Sequence, residues 1–406
     1  MKKIILASAL LCLGFVNQVT AQESYWIKPD SLFKFVQPSA SMQLWSTYSM
    51  NEQTQRVANG PLEPVQDRLS FMVRRARIGF KGKPYKRMSY ALNIQYDNLG
   101  KDRFSAVRGS VNTGTLGILD AYVTWKLTKN EMAYITTGYF QPQISRECIT
   151  GDMLVNSLDK SPSQTYIRQH ITGKSYGRVT GANIGGLKKL ERISFGYNVG
   201  IYNNNTTSAD QKNLPETSGY AWSPLTVERA TVTFGDEEMK TYAINYDANN
   251  YYGKRKGLTV GAYSSQQGKT DIFQSNKAAG VDFLFNFANL NLDGEWSILQ
   301  RTTAGVTVTN QTGHVRAGYN VILADKFFLE PSFMMMEFQG DKGEKGGQFT
   351  GKDKMFDAGV NWYLNKKSCK LSAHYVWQQG SGNNGYTDGV TFQKGNFAAL
   401  AFVVMM

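Results

Sequence analysis

The chain has 406 residues, 45 lysines and arginines against 32 aspartates and glutamates, and a formal net charge of +13, so an anionic partner is expected. It is 13% aromatic, with 39 glycines and 10 prolines, a strand-and-turn composition; past the first two dozen residues no apolar run is long enough for a transmembrane helix. Three cysteines are too few for a disulfide scaffold and lack the paired spacing of a zinc site, and no motif for a cofactor or metal is present.

The N-terminus reads as a secretory signal peptide over residues 1–21. Lys2 and Lys3 precede an apolar stretch from Ile4 to Val16, and Val19-Thr20-Ala21 offers small residues for cleavage. Cys12 follows Leu11 inside the apolar core, which argues against a lipid anchor. Residues 22–39 are expected to form an N-terminal periplasmic segment, and residues 40–406 the folded domain.

From there the dominant signal is period-two alternation in segments of about ten residues, the length of a tilted strand that crosses an outer membrane. In Met88 to Asp97, the residues Met88, Tyr90, Leu92, Ile94 and Tyr96 oppose Ser89, Ala91, Asn93, Gln95 and Asp97. Leu119, Ala121, Val123, Trp125 and Leu127 then oppose Asp120, Tyr122, Thr124 and Lys126, and the same split recurs in Ile193 to Tyr202. Further copies occupy Ala279 to Phe287, Leu290 to Ile298, His314 to Leu323, Phe356 to Leu364 and Leu371 to Gln378. A soluble β-sandwich would alternate too. Aromatic residues near strand ends (Tyr96, Trp125, Tyr139, Phe140, Trp362, Tyr363, Trp377), connections alternating between long and short, and a C-terminal strand ending at Met406 favour a membrane barrel instead.

The predicted fold is therefore all-β: a closed antiparallel transmembrane β-barrel. Seventeen candidate strands are one too many for an even-numbered barrel. Thr226 to Gly235 and Thr241 to Asp247 compete, and dropping the second leaves sixteen, with Lys240 to Gly257 as an extended periplasmic connection carrying Lys254-Arg255-Lys256.

Four stretches, in this order, carry a family resemblance. They are Val73-Arg74-Arg75-Ala76-Arg77-Ile78-Gly79-Phe80, then Leu119-Asp120-Ala121-Tyr122-Val123, then Gly138-Tyr139-Phe140-Gln141-Pro142-Gln143-Ile144-Ser145-Arg146-Glu147. The last is Glu228-Arg229-Ala230-Thr231-Val232 with Tyr251-Tyr252-Gly253-Lys254-Arg255-Lys256. Together they resemble the phosphate-selective porin O and P family in its Bacteroidetes-type form, over most of the chain. The resemblance implies a sixteen-stranded homotrimeric barrel whose loop after the fifth strand, residues 141–175 here, folds inward as a constriction. Gln141 stands where the family usually has lysine, Pro142-Gln143-Ile144 replaces its Pro-Phe pair, Glu228 replaces an alanine, and Met406 replaces a terminal aromatic.

The expected function is an outer-membrane porin for passive diffusion of small hydrophilic solutes, with preference for small anions, phosphate among them. Rings of arginine and lysine favour anions, and arginine suits phosphate through bidentate hydrogen bonds. Alternation places Arg75, Arg77 and Lys81 inward, opposite Met72, Ala76, Ile78 and Phe80. Arg74 then faces lipid, at about 2–4 kcal/mol if mid-membrane, unless it sits at an interface, in a subunit contact or beside a bulge. Loop candidates for the anion pathway are Arg146, Lys160, Arg168, Lys174 and Arg178, against Glu147, Asp152 and Asp159. The plainer reading of each is a solvated loop charge. Inward Asp120, Asp282, Asp293, Glu295 and Asp357 moderate the expected preference.

A non-conducting structural or adhesin-type barrel is the alternative. An enzyme is disfavoured, because the histidines are His170, His314 and His374 and no Gly-x-Ser-x-Gly elbow occurs. The positive charge is spread through barrel segments and accompanied by no nucleic-acid motif, which disfavours nucleic-acid binding. Outer-membrane lipid and anionic solutes are the expected partners.

Overall fold

The computed structural model describes residues 36–406 apart from 57–59, 110–115, 204–220, 247, 325–326, 341–348, 350 and 381–391. The signal-peptide reading, and all but the end of the 22–39 segment, lie outside the described residues. The first strand begins at Gln37, inside the stretch read as a periplasmic arm.

The chain closes into a barrel of sixteen antiparallel strands among the described residues. They are β1 (Gln37–Met50), β2 (Arg68–Tyr85), β3 (Met88–Leu99), β4 (Gly117–Lys126), β5 (Tyr134–Phe140), β6 (Val179–Lys189), β7 (Ile193–Asn203) and β8 (Leu225–Gly235), followed by β9 (Gly257–Gln267), β10 (Ser275–Phe287) and β11 (Leu290–Thr303). The last five are β12 (Val306–Tyr319, resumed at Val321–Ala324), β13 (Phe327–Gln339), β14 (Lys352–Asn365), β15 (Cys369–Gly380) and β16 (Asn396–Met405). Each strand pairs with its sequence neighbour. β1 also pairs with β16, from Ser41 opposite Met405 to Met50 opposite Asn396, and leaves no free edge. Two short pieces, Gln53–Gln55 and Leu62–Pro64, meet Phe392–Gln393 in a small separate sheet between the loops after β1 and β15.

Alternation decides which side of the wall each residue takes. On β10, Val281 and Phe287 face outward and are exposed, while Asp282, Leu284 and Asn286 are buried inside. The outward belt includes Trp125, Trp296, Trp362 and Trp377, as lipid contact requires. Phe140 and Tyr363, read from the sequence as belt residues, face the lumen and are buried. Tyr363 there donates to Glu330 at 2.6 Å.

Two of the bulges in the wall shift the alternation read from the sequence. The β1–β2 register steps from Gln43 opposite Arg75 to Leu44 opposite Val73, leaving Arg74 as the extra residue. A bulge lets two residues oppose one and reverses the facing of everything beyond it. Leu69 and Phe71 therefore face out at 60% and 66% exposure, and Met72, expected outside, is buried in the lumen at 5%. The β3–β4 register likewise skips Leu119, pairing Asn93 with Asp120 and Ile94 with Ile118. Leu119 is thus buried and Ile118 exposed, the reverse of the expectation.

The connections at one end of the barrel are short (86–87, 127–133, 190–192, 288–289, 366–368), with 236–256 as the long exception. This is the periplasmic end by the usual asymmetry of such barrels. The described residues of 236–256 form neither a barrel strand nor an extended arm. They fold back into the lumen, with Ile244, Tyr246, Asn249, Asn250 and Arg255 buried, which corrects the picture of a free basic connection.

Candidate functional site

The loop of residues 141–178 leaves β5 at Phe140 and crosses the lumen. Gly138, at φ +132°, permits its exit, because a Cβ there would lie 2.3 Å from the Ala121 carbonyl. A short helix, α1 (Arg146–Ile149), starts at Ser145, whose Oγ accepts from the Cys148 amide. A second, α2 (Ser163–Thr172), ends at Gly173 in the left-handed conformation that glycine tolerates.

Buried polar side chains on the wall pin the loop from both sides. Toward β8–β12, Arg229 binds Asp282 at 2.5 and 2.8 Å and donates to the Ile144 carbonyl, while Asp282 accepts from the Arg146 amide. Arg316 joins Glu147 at 2.6 Å to Asp293 at 3.1 Å, and Ser163 donates to Glu295 at 2.9 Å. Toward β13–β15, Asp357 accepts from the Leu158 amide and from His374, Asn361 donates to the Asn156 carbonyl, and Lys370 to that of Val155. The inward acids Asp282, Asp293, Glu295 and Asp357 are therefore anchors of the loop. Burying charges is costly unless each is paired and hydrogen-bonded, and these are.

On the β2 side the loop meets the basic strand. Arg74 donates to Asp159 at 2.6 and 3.0 Å, and Arg75 to the same carboxylate at 2.7 Å and to Gln43 at 2.6 Å. Arg77 bridges Asp97 at 2.7 Å and Asp152 at 2.6 Å, and Arg178 meets Asp120 at 2.9 Å. Arg74, expected outside, thus points inward from its bulge. Lys160 reaches the Thr150 carbonyl at 2.6 Å and Asp152 at 3.4 Å. Arg168 donates to the Cys148 carbonyl, its stem lying against Gly177, where a Cβ would come within 2.5 Å of it.

Above this contact lies a lumen cavity of about 440 Å³. Arg75, Arg77, Lys160, Arg168 and Arg178 all line it, which brings five of the eight candidates together. Arg146 sits elsewhere, buried against Glu238 at 2.5 Å. Lys81 is exposed near the periplasmic end of β2, and Lys174 packs by Tyr176, with its Nζ 5.7 Å from the ring centre. Sequence reasoning missed Arg74, Lys101, Arg103, Arg108 and Lys394, which complete the lining. The clue for Arg74 was its costly lipid-facing position; the others come from two further outer loops, Lys101, Arg103 and Arg108 from the one after β3 and Lys394 from the one after β15. Among the described residues the lining holds ten arginines and lysines against four aspartates.

The electrostatics follow from burial and crowding. Burial opposes ionisation of Asp152, but Arg77, Lys160 and Arg75 outweigh it and hold the carboxyl well below its usual range. Asp159 is lowered in the same way by Arg75 and Arg74. Burial, with Arg168 beside it, pushes Lys160 down to about 8. Burial, with Lys394 and Arg74 nearby, pushes Lys101 to about 7. Among the described residues no cluster of His, Cys, Asp and Glu is arranged to hold a metal.

The barrel is similar to solved porins. OprB of Pseudomonas putida superposes with a TM-score of 0.60 at 10% identity, covering 93% of this chain and 96% of that one. OmpF of Salmonella typhi gives 0.55 at 14% identity, covering 91% and 97%. The anion-selective porin of Comamonas acidovorans gives 0.55 at 9% identity, covering 91% and 98%. At these identities the likeness speaks for the fold. No curated protein matches the sequence. The family model of phosphate-selective porin O and P, in contrast, matches residues 54–405, nearly the whole barrel. The chain belongs to that family, and it is an outer-membrane porin.

Proposed function

We propose that this porin passes small hydrophilic solutes passively and prefers anions, inorganic phosphate among them. The observation that carries the reading is the cationic excess of the lumen cavity, ten basic side chains to four acidic ones. Such a field concentrates anions at the mouth. Arg77 and Arg178 continue it inward along the wall where Asn93, Gln95 and Asp97 stay partly exposed to water. Arginine gives bidentate, charge-assisted contacts to a tetrahedral oxyanion. Asp97, Asp120 and Asp152 keep each contact weak enough for release. The likeness to an anion-selective porin agrees with this, and assembly as a homotrimer is part of the same proposal.

A second reading, a non-conducting barrel, is favoured by how fully the loop and residues 236–256 fill the lumen side of β8–β14. One experiment separates the two: reversal potentials of single channels in a planar bilayer under a potassium chloride gradient, followed by titration with phosphate. An anion-signed potential with phosphate block of the chloride current supports the proposal. A cation-signed or zero potential removes the anion preference, and absence of conductance favours the closed barrel.

A further inference from the structure

The segment between β8 and β9 is long for its end of the barrel, and its burial is unexpected for a periplasmic connection. Ile244 and Tyr246 are 4% and 7% exposed, and Asn249 and Asn250 are 0% and 3%. It is joined to the underside of the constriction loop at three points. The Tyr246 amide donates to the Ile149 carbonyl at 3.2 Å, beside a parallel bridge between Thr150 and Tyr246. Gln143 donates to the Ile244 carbonyl at 2.7 Å. Glu238 takes a two-pronged hydrogen bond from Arg146 at 2.5 and 2.7 Å, with both side chains at most 3% exposed, and the same guanidinium lies 4.2 Å from the centre of the Tyr246 ring.

The two halves of the lumen differ accordingly. Lumen-facing Thr259, Asn286, Asn291 and Glu330, on β9–β13, are buried. Their counterparts on β3, Ser89, Ala91, Asn93 and Gln95, are partly exposed. Water reaches one side of the barrel interior and is excluded from the other.

We infer that residues 236–246 and 248–256 are an internal plug that seals the β8–β13 half of the lumen from the periplasmic side, and that Glu238 is the positioning residue latching it to the constriction loop. Conduction then runs along the β1–β4 wall, and the plug sets the cross-section of the pore. This rests on the reading of the protein as a conducting channel. Glu238 acts through Arg146 and touches no solute.

The test uses the full-length protein in planar bilayers. Glu238→Ala should raise single-channel conductance by about twofold or more and admit larger neutral sugars, because the cross-section widens. Thr150→Cys with Tyr246→Cys, in a Cys148→Ser and Cys369→Ser background, places two thiols at a bridged pair within disulfide reach. With Glu238→Ala added, oxidation should return conductance to that of the cysteine-free background, and reduction should raise it again. A merely structural loss would not reverse with redox state. A folded Glu238→Ala channel with unchanged conductance overturns the inference. So does failure of the cysteine pair to cross-link in the folded protein with Glu238 intact, a measurement that stands even if Glu238→Ala does not fold. Absence of conductance in the unaltered protein instead overturns the channel reading beneath it.

Discussion

Arg77 and Asp152 meet at 2.6 Å, joining the basic strand to the constriction loop, with neither side chain more than 15% exposed. The carboxylate therefore neutralises part of the field that an entering anion would feel. Asp152→Asn should strengthen anion preference. One charge at ~7 Å in water is worth roughly 0.6 kcal/mol, about threefold for an anion and the inverse for a cation, hence roughly sevenfold in the anion-to-cation permeability ratio. The reversal potential under a salt gradient measures this, and no shift toward anions would place the pair off the conduction path.

Arg74 provides a test of the bulge. Were it lipid-facing, Arg74→Leu would be neutral or stabilising. Because it points inward and shares Asp159 with Arg75, the same change should destabilise the barrel by about 1.5–3 kcal/mol, the worth of a hydrogen bond to a charged group. The unfolding midpoint in detergent decides between the two.

Arg74 also shows where the sequence stops being legible. The barrel itself was readable, because a wall with lipid on one side and a polar lumen on the other imposes a period of two. A one-residue bulge preserves that period and reverses its phase, so Met72 and Leu119 read correctly as strand residues and on the wrong face. The partners of the loop were not readable. Asp159 meets Arg74 across 85 positions of sequence, and nothing local encodes that choice. Tyr242, Ile244 and Tyr246 do alternate as a strand would. Ile244 and Tyr246 instead hold a lumen segment against the loop, and that use depends on the closed barrel around it.

The outer loop after β3 has a structural duty as well. Arg108 grips Asp353 at 2.5 and 2.7 Å, and Tyr166 of α2 donates to the same carboxylate at 2.6 Å. One aspartate thus joins the wall, an outer loop and the constriction loop. Asp353→Ala leaves the Arg108 guanidinium without that carboxylate and should cost about 3–5 kcal/mol. A lower unfolding midpoint and noisier single-channel current are the expected results, whereas an unchanged midpoint would show that the triad carries no weight.

The depressed lysines make selectivity depend on pH. Lys101 is held near 7 and Lys160 near 8, both chiefly by burial, against an ordinary 10.5. As pH rises from 6 to 9.5 each gives up its proton, the lumen loses positive charge in two steps, and anion preference should fall. The sign for stability is opposite. Between about 8 and 10.5 the unfolded chain still binds a proton that native Lys160 has released, so stability should rise with pH across that window. Reversal potentials across this range check the first claim, and unfolding midpoints the second. Lys101→Met should remove the lower step and Lys160→Met the upper one. If both variants keep the full pH response, the titrating groups lie elsewhere.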